Sequence, residues 1–454
     1  MGGKDGMTDP RFQVMHAGEA LSLVTRSSDG QMLFLANMAS KMNHSSALGS
    51  RIAEVHNGSS LFTGDAGQGE SNIRRWLIEN DWLEAIVALP LNLFYNTGIA
   101  TYVWVLSNRK PAHRQGQVQL IDASRWFRPL RKNLGKKNCE LAPDDIDRIS
   151  HAFLDFKPTA ESKIFPNAAF GYSKVTVERP LRLHSQLSPK AIATLRFASG
   201  DEALRSALFD DFASVAVALE MRLADWGTDD VDGDDEATSP AKKGLPDKKR
   251  KKLLDATTWA RDARLVEAAN ALRAALGDAL FEDHNAFRDL VDAALKKTGT
   301  KLPAAELKLI LRAVSWRVDS APCVIAKVHM PQKKAAKITA DPLLGLFEAT
   351  IGGKPCIVEY EPDADLRDTE QVPLLEAGGI EAFIRREVLP YTPDAWVKND
   401  ATKIGYEISF TRHFYKPQPL RTLAEISADI MAIEKEAEGL LDGLLLGGKS
   451  TIAT

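Results

Sequence analysis

The chain has 454 residues, 44% of them apolar and 26% charged, with a formal net charge of −3. That length holds two or three domains, and the near-neutral balance excludes a uniformly basic nucleic-acid binder: any such surface is a local patch or a partner's. The sequence has no apolar run long enough for a membrane span and no secretory pattern at its start, and three scattered cysteines (Cys139, Cys323, Cys356) form neither a CxxC zinc pattern nor a disulfide framework, which fits a reducing cytoplasm.

Residues 1–30 are weakly patterned and predict loop. From Met32 to Met42 the residues Leu33, Phe34, Asn37, Met38 and Met42 recur at helical spacing, so a helix with that face inward is expected. Arg51–Asn57 reads as a strand. Gly64-Asp65-Ala66-Gly67-Gln68-Gly69-Glu70 follows it, but Asn72 stands where a dinucleotide-type GxGxxG needs glycine. Loop or helix-start glycines are therefore the better reading, over a cofactor cradle. Ser71–Asn80 reads as a helix with Ile73, Trp76 and Leu77 on one face.

Two apolar runs follow, Leu83–Leu89 and Ile99–Leu106, short, bounded by breakers and rich in Val, Ile and aromatics, as buried strands are. Pro90 cannot donate to a ladder and ends the first. The intervening loop, Pro90–Gly98, carries Phe94, Tyr95, Asn96 and Thr97 at its tip. Either these aromatics fold back onto the core, or they offer a face to a planar ligand such as a flipped nucleobase. A further strand is predicted at Val118–Ile121. Arg125–Lys137 then sets Arg125, Arg128, Arg131, Lys132, Lys136 and Lys137 around Trp126 and Phe127. A solvated charged loop and a phosphate-binding loop anchored by its aromatics both fit. Asp144 and Asp145 open a helix that should turn Ile146, Ile149 and Phe153 inward.

From 190 to 300 the text is alanine-rich and helical. It is broken at Gly227–Lys252 by an acidic run and then a basic one, a predicted flexible linker whose basic run can also touch DNA. Gly345–Glu361 reads as a hairpin turning at Ile351-Gly352-Gly353-Lys354. Thr422-Leu423-Ala424-Glu425 is a capping box. It opens a helix of about 25 residues, about 37 Å long, with a heptad seam of Leu423, Ile426, Ile430, Ile433, Ala437, Leu440 and Leu444. Burial of each large side chain is worth about 1.5–3 kcal/mol, so the seam needs a cover, from its own chain or from a partner's helices.

Several strings carry a resemblance. SRIAEVHNGSSLF, ALPLNLFYNTGIATYVWVLSN, VQLIDAS, FGYSKVTVERPLRL, LRDTEQVPL, REVLPYTPDAW and YEISFTRHFYKPQPLRTLAEISADI resemble the modification (methyltransferase) subunit of type I restriction-modification systems. The resemblance covers about Thr8–Gln186 and Leu343–Leu446 and leaves 190–340 unmatched.

The resemblance implies an α/β fold: the later half of a Rossmann-like methyltransferase sheet, in which a helix-linked parallel pair is finished by an antiparallel hairpin. A mainly helical α+β region and a carboxyl-terminal coiled-coil helix should follow. The expected divisions are a partial adenine-methyltransferase domain at 1–125, a family-specific extension at 126–200, and a helical region at 201–340 with the charged linker 227–252. An α+β segment at 341–420 and a heptad helix for subunit assembly at 421–446 complete them.

The implied activity moves the methyl of S-adenosylmethionine to the amino group of an adenine flipped from DNA, with Phe94, Tyr95, Asn96 and Thr97 at the base. The implied partners are DNA, the specificity subunit, which meets the seam Leu423, Ile426, Ile430, Ile433, Leu440 and Leu444, and the restriction subunit; no metal is expected. Asp9-Pro10-Arg11-Phe12 resembles a segment soon after the family's Asn-Pro-Pro-aromatic tetrad, and the glycine-rich donor loop lies further upstream. Neither motif occurs in this sequence. The catalytic residues are therefore unassigned, and the chain is expected to be inactive and weak toward S-adenosylmethionine until an amino-terminal half, separately encoded or not, is supplied. Two other readings stay open: a non-catalytic assembly or DNA-binding remnant, and an RNA methyltransferase, against which the type I text at the carboxyl end argues.

Overall fold

The computed structural model describes residues 9–198, 202–203, 205–206, 255–330, 338–415 and 421–447; the linker expected at 227–252 lies outside them. The chain divides into two compact units, Met1–Gly171 with Gly405–Thr454, and Tyr172–Ile404.

The first unit starts with a hairpin where the sequence suggested loop: β1 (Gln13–His16) pairs antiparallel with β2 (Glu19–Ser22). Its turn residues Ala17 and Gly18 have φ of 48° and 86°, the twist that two-residue hairpins need. Alanine rarely takes that conformation, which hides the turn. Helix α1 (Gln31–Ala39) buries Met32, Leu35, Ala36 and Ala39, while Phe34 is exposed. The expected face is one position off, because the two alanines that let the helix pack closely do not register as large apolar residues.

The chain then supplies β3 (Arg51–Asn57), helix α2 (Gly69–Glu79), β4 (Leu83–Ala88), β5 (Thr101–Ser107) and β6 (Gln117–Asp122). A hairpin of β7 (Arg128–Leu134) and β8 (Lys137–Glu140), helix α3 (Pro143–Asp155) and β9 (Ser162–Pro166) follow. Five of these strands form one mixed sheet, ordered β3-β5-β4-β6-β9. β3 and β4 run the same way, as the helix between them requires, but they are not neighbours. β5 lies between them, antiparallel to both, and β6 pairs parallel with β4. The residues explain the order. β5 is apolar on both faces, with Tyr102, Trp104 and Leu106 on one and Val103 and Val105 on the other, and suits an interior position. β3, with Arg51, Glu54 and His56, suits an edge.

Helix α2 is buried along Gly69–Ile78, not on the Ile73, Trp76, Leu77 face alone. A Cβ on Gly69 would stand 2.0 Å from the Val24 carbonyl oxygen, so only glycine fits there. Arg74 is fully buried and donates from Nε to Tyr406 O at 2.6 Å, from Nη1 to Ser60 O at 2.9 Å and from Nη2 to Thr63 O at 2.7 Å. It ties the returning segment to the sheet, where Ile408 N–H also donates to Leu61 O at 2.9 Å. In α3, Ile149, Ala152 and Phe153 pack on Val87, Leu89, Ile121, Ala123 and Trp126. Ile146 is exposed, contrary to the pattern, because that cluster ends one turn short of it.

The second unit holds β10 (Gly171–Glu178), β11 (Leu183–Ser185), α4 (Ala256–Leu276), α5 (His284–Thr298) and α6 (Ala304–Ala313). It continues through β12 (Ser315–Arg317), β13 (Ile325–His329), β14 (Phe347–Ile351), β15 (Lys354–Tyr360), β16 (Asp368–Pro373) and β17 (Trp396–Tyr406). The Asp255 and Asp283 carboxylates cap α4 and α5, accepting from Thr257 and Asn285 N–H. Leu265, Ala269, Leu272, Phe287, Val291, Ala294 and Ile310 form the helical core. The expected hairpin is β14–β15, turning on Gly352 and Gly353 at φ 58° and 75°, and β13 adds a third strand. β16, β10 and β17 form another three-stranded sheet, so three widely spaced strings of the resemblance meet in one structure.

Strands β11 and β12 are joined to α5 by a buried polar cluster. Ser185 Oγ lies 2.8 Å from His284 Nδ1 and 2.9 Å from Ser315 Oγ. Burial pushes the His284 imidazole down to about 4, with Arg288 acting the same way and Asp283 opposing. An unfolded histidine titrates at about 6.5. Between those values the unfolded chain binds the extra proton, so stability present above about pH 6.5 declines as the pH falls toward 4. We expect this group to remove up to about 3 kcal/mol, seen as a falling urea midpoint between pH 7 and 4.5. H284N should flatten that fall; an equally steep fall in H284N would assign the effect elsewhere.

Candidate functional site

Strands β3, β4 and β6 present their carboxyl ends on one edge, the place where α/β sheets bind ligands. His56, Tyr102, Ala88 and Asp122 lie in register across that edge. Beyond this row come Asn57, the loop Pro90–Gly98, and Arg125 with the β7–β8 hairpin.

In the loop, Leu93 packs onto the Val87, Leu89, Trp126 cluster. Leu93 is the core anchor, and the aromatics do not fold back: Phe94 is 38% and Tyr95 65% exposed. Asn96 is exposed and Thr97 partly buried. Asn92 and Asn96 both have φ of 57°, a conformation asparagine tolerates, and they shape the tip that carries the aromatics.

The basic segment is a hairpin, not a loop. Trp126 is buried with the Arg148 guanidinium 4.1 Å from its ring centre, whereas Phe127 is exposed and anchors nothing. Arg125, Arg128, Arg131, Lys132 and Lys136 are exposed on the hairpin and its approach. Lys137 is partly buried, and its ammonium donates to Leu93 O at 2.6 Å. The hairpin thus touches the aromatic loop, which brings the two candidate segments together.

Sequence reasoning missed a polar network where β3 ends. Gln31 Nε2 donates to Asp29, Asn57 and Ser59 at 2.9, 2.9 and 2.7 Å, and His56 is buried beside it. Burial raises the Asp29 carboxyl, but hydrogen bonds from Gln31 and Ser59 outweigh it and hold the group below its ordinary value. The available signal was Asn57 closing a strand on the ligand-binding edge.

The close approach that Gly69 permits is taken by the Val24 carbonyl, which agrees with reading Gly64–Glu70 as helix-start glycines. Among the described residues no group of His, Cys, Asp and Glu could hold a metal ion, and no helix is long and apolar enough to cross a membrane.

Helix α7 (Leu423–Gly447) begins at the predicted capping box: Glu425 accepts from Thr422 N–H at 2.8 Å, and Thr422 Oγ1 accepts from Glu425 N–H at 3.3 Å. Leu423, Ile426, Ile430 and Ile433 are 40–84% exposed. Among the described residues nothing covers this part of the seam; the side chains of Leu440 and Leu444 lie outside the described ones.

Residues 4–177 match the family model of the N-6 DNA methylases. The chain is similar to methylase subunits of type I restriction enzymes, and the resemblance read from the sequence is borne out. It is 33% identical over 91 residues to the MjaVIII methylase subunit of Methanocaldococcus jannaschii, covering 20% of this chain and 15% of that protein. It is 35% identical over 91 residues to the MpnII methylase subunit of Mycoplasma pneumoniae, covering 20% and 16%. The chain thus spans about a sixth of the length of these curated relatives. The solved type I restriction-modification methyltransferase subunit of Streptococcus thermophilus is 25% identical, covering 32% of this chain and 28% of that one, with a TM-score of 0.27.

Proposed function

We propose that this chain is part of a type I modification subunit that transfers the methyl of S-adenosylmethionine to the adenine amino group in DNA, and that it supplies the base-facing loop and a backbone-binding hairpin. One observation carries the reading: an exposed aromatic tip and a set of exposed cations are joined by hydrogen bonds at the ligand-binding edge of the sheet. A base taken from the duplex needs a π-face, offered by Phe94 or Tyr95, with Asn96 and Thr97 as polar support. Backbone phosphates need cations within reach, offered by Arg125, Arg128, Arg131, Lys132 and Lys136. The 454 residues contain no Asn-Pro-Pro-aromatic tetrad. Methylation is therefore to be read with a tetrad-bearing segment present, together with the specificity and restriction subunits as cytoplasmic partners. The exposed seam of α7 supports assembly of 421–446 with the helices of the specificity subunit, and the exposed aromatic tip supports the base-facing role of 1–125.

Aromatic stacking returns about 1–3 kcal/mol per base, and 1.4 kcal/mol is a factor of ten in rate. In the assembled methylating complex, F94A or Y95A should slow methylation about tenfold or more. Affinity for duplex DNA should change less, because phosphate contacts dominate it. Parent rates in both variants would make the loop structural and move the base elsewhere. A second reading is an assembly remnant without chemistry, for which the exposed seam of α7 is the supporting observation. It holds if the seam binds its partner while the fully assembled complex transfers no methyl group.

A further inference from the structure

We propose that the β7–β8 hairpin is the positioning element of the aromatic loop, and that Lys137 is its pin and not a phosphate ligand. Three contacts run as a zipper. Lys137 Nζ donates to Leu93 O at 2.6 Å, Asn138 N–H to Asn92 O at 3.2 Å, and the Cys139 thiol to Leu91 O at 3.2 Å. Each step forward along the hairpin is a step back along the loop, the relation of antiparallel strands. The Lys137 ammonium also lies 5.8 Å from the centre of the Tyr95 ring, within the range of cation–π attraction. At the hairpin turn Gly135 has φ of 64°, and a Cβ there would stand 2.8 Å from Asn96 Oδ1. The contact therefore runs from Leu91 to Asn96 on one side and from Cys139 to Gly135 on the other.

Its neighbours Lys132 and Lys136 are exposed, but Lys137 is partly buried and directed at the loop. An ammonium bonded to a backbone carbonyl holds that carbonyl in place, and its two remaining donors stay beside the loop instead of extending with the free side chain toward a phosphate. The positions touched, Leu91, Asn92, Leu93, Tyr95 and Asn96, bracket Phe94 and include Tyr95, so the hairpin sets where those rings stand. Phosphate contact by Arg128, Arg131 and Lys132 then acts on the same rigid piece that holds the base-side loop. That coupling rests on the DNA reading above, whereas the pin rests on geometry alone.

Chymotrypsin cleaves after exposed Phe and Tyr, and cleavage of the full chain after Phe94 and Tyr95 at limiting protease reports how often the tip opens. K137M keeps the aliphatic stem and removes the ammonium, and hydrogen bonds to charged groups are strong enough that it should speed this cleavage about tenfold. K137R retains a donor for the carbonyl and a cation for the ring and should cleave at the parent rate, as should K132M. G135A introduces a Cβ against Asn96 without changing charge and should also speed cleavage; should K137M lose its melting transition, G135A decides by the same measure. In duplex DNA binding against salt, K132M should reduce the log–log slope by about one, while K137M leaves it unchanged. Parent-rate cleavage of folded K137M overturns the pin, and a slope change in K137M equal to that of K132M returns the residue to phosphate binding. If the parent binds no duplex at all, the DNA reading fails while the cleavage rates still decide the pin.

Discussion

Replacing Arg74 with methionine is expected to destabilise the first unit severely. The side chain is fully buried and its guanidinium satisfies the carbonyls of Ser60, Thr63 and Tyr406 at 2.6–2.9 Å. A buried acceptor left without a partner costs about 1–3 kcal/mol. With three such groups and some relief from entering water, the loss should be about 3–5 kcal/mol, a large share of the roughly 5–15 kcal/mol that holds an ordinary domain. For a unit of this size that is on the order of 10 °C in melting temperature. Lysine should recover little, because one ammonium cannot reproduce a planar fork aimed at three carbonyls. The fluorescence of Trp76 and Trp82, whose rings stand 4.9 Å apart in this unit, reports the transition directly. A shift below about 3 °C in R74M would mean that the three carbonyls find other partners.

The second large effect is on assembly. I430D with I433D should leave the melting curve of the isolated chain unchanged, since both side chains are more than half exposed on it. Against the specificity subunit the outcome should be loss of co-purification. Two charges pressed into an apolar seam cost at least several kcal/mol, and each 1.4 kcal/mol is tenfold in affinity, so a fall of about three decades or more is expected by calorimetry. Unchanged binding would refute the role of the seam. Wholesale unfolding would return it to its own chain.

Most of the sheet is legible in the sequence because β4 and β5 are apolar runs closed by breakers, and the opening of α7 is legible because a capping box is a local pattern. The β7–β8 hairpin is not. Its residues are nearly all exposed, so it lacks the alternation that betrays a half-buried strand. Arg74 is equally hidden: an Arg-Arg pair in a helix reads as solvated charge, and one of its three acceptors, Tyr406, returns from 332 positions away. The two halves of the candidate site are visible separately, one as an aromatic loop tip and the other as a basic run. Their contact is not, because Leu91, Asn92 and Leu93 make it with backbone carbonyls, which have no signature in residue type.

The division of the first unit into 1–171 and 405–454 sets an order on biosynthesis. Ribosomes add about 5–20 residues each second, so the 332 positions between Arg74 and Tyr406 correspond to roughly 15–70 s of translation. Throughout that interval the sheet has emerged but the segment that Arg74 holds has not. The second unit, continuous in the chain, is complete before the first can close. A premature stop anywhere between 171 and 405 would therefore do its damage far upstream, leaving an early-made sheet without the segment that Arg74 and Leu61 hold.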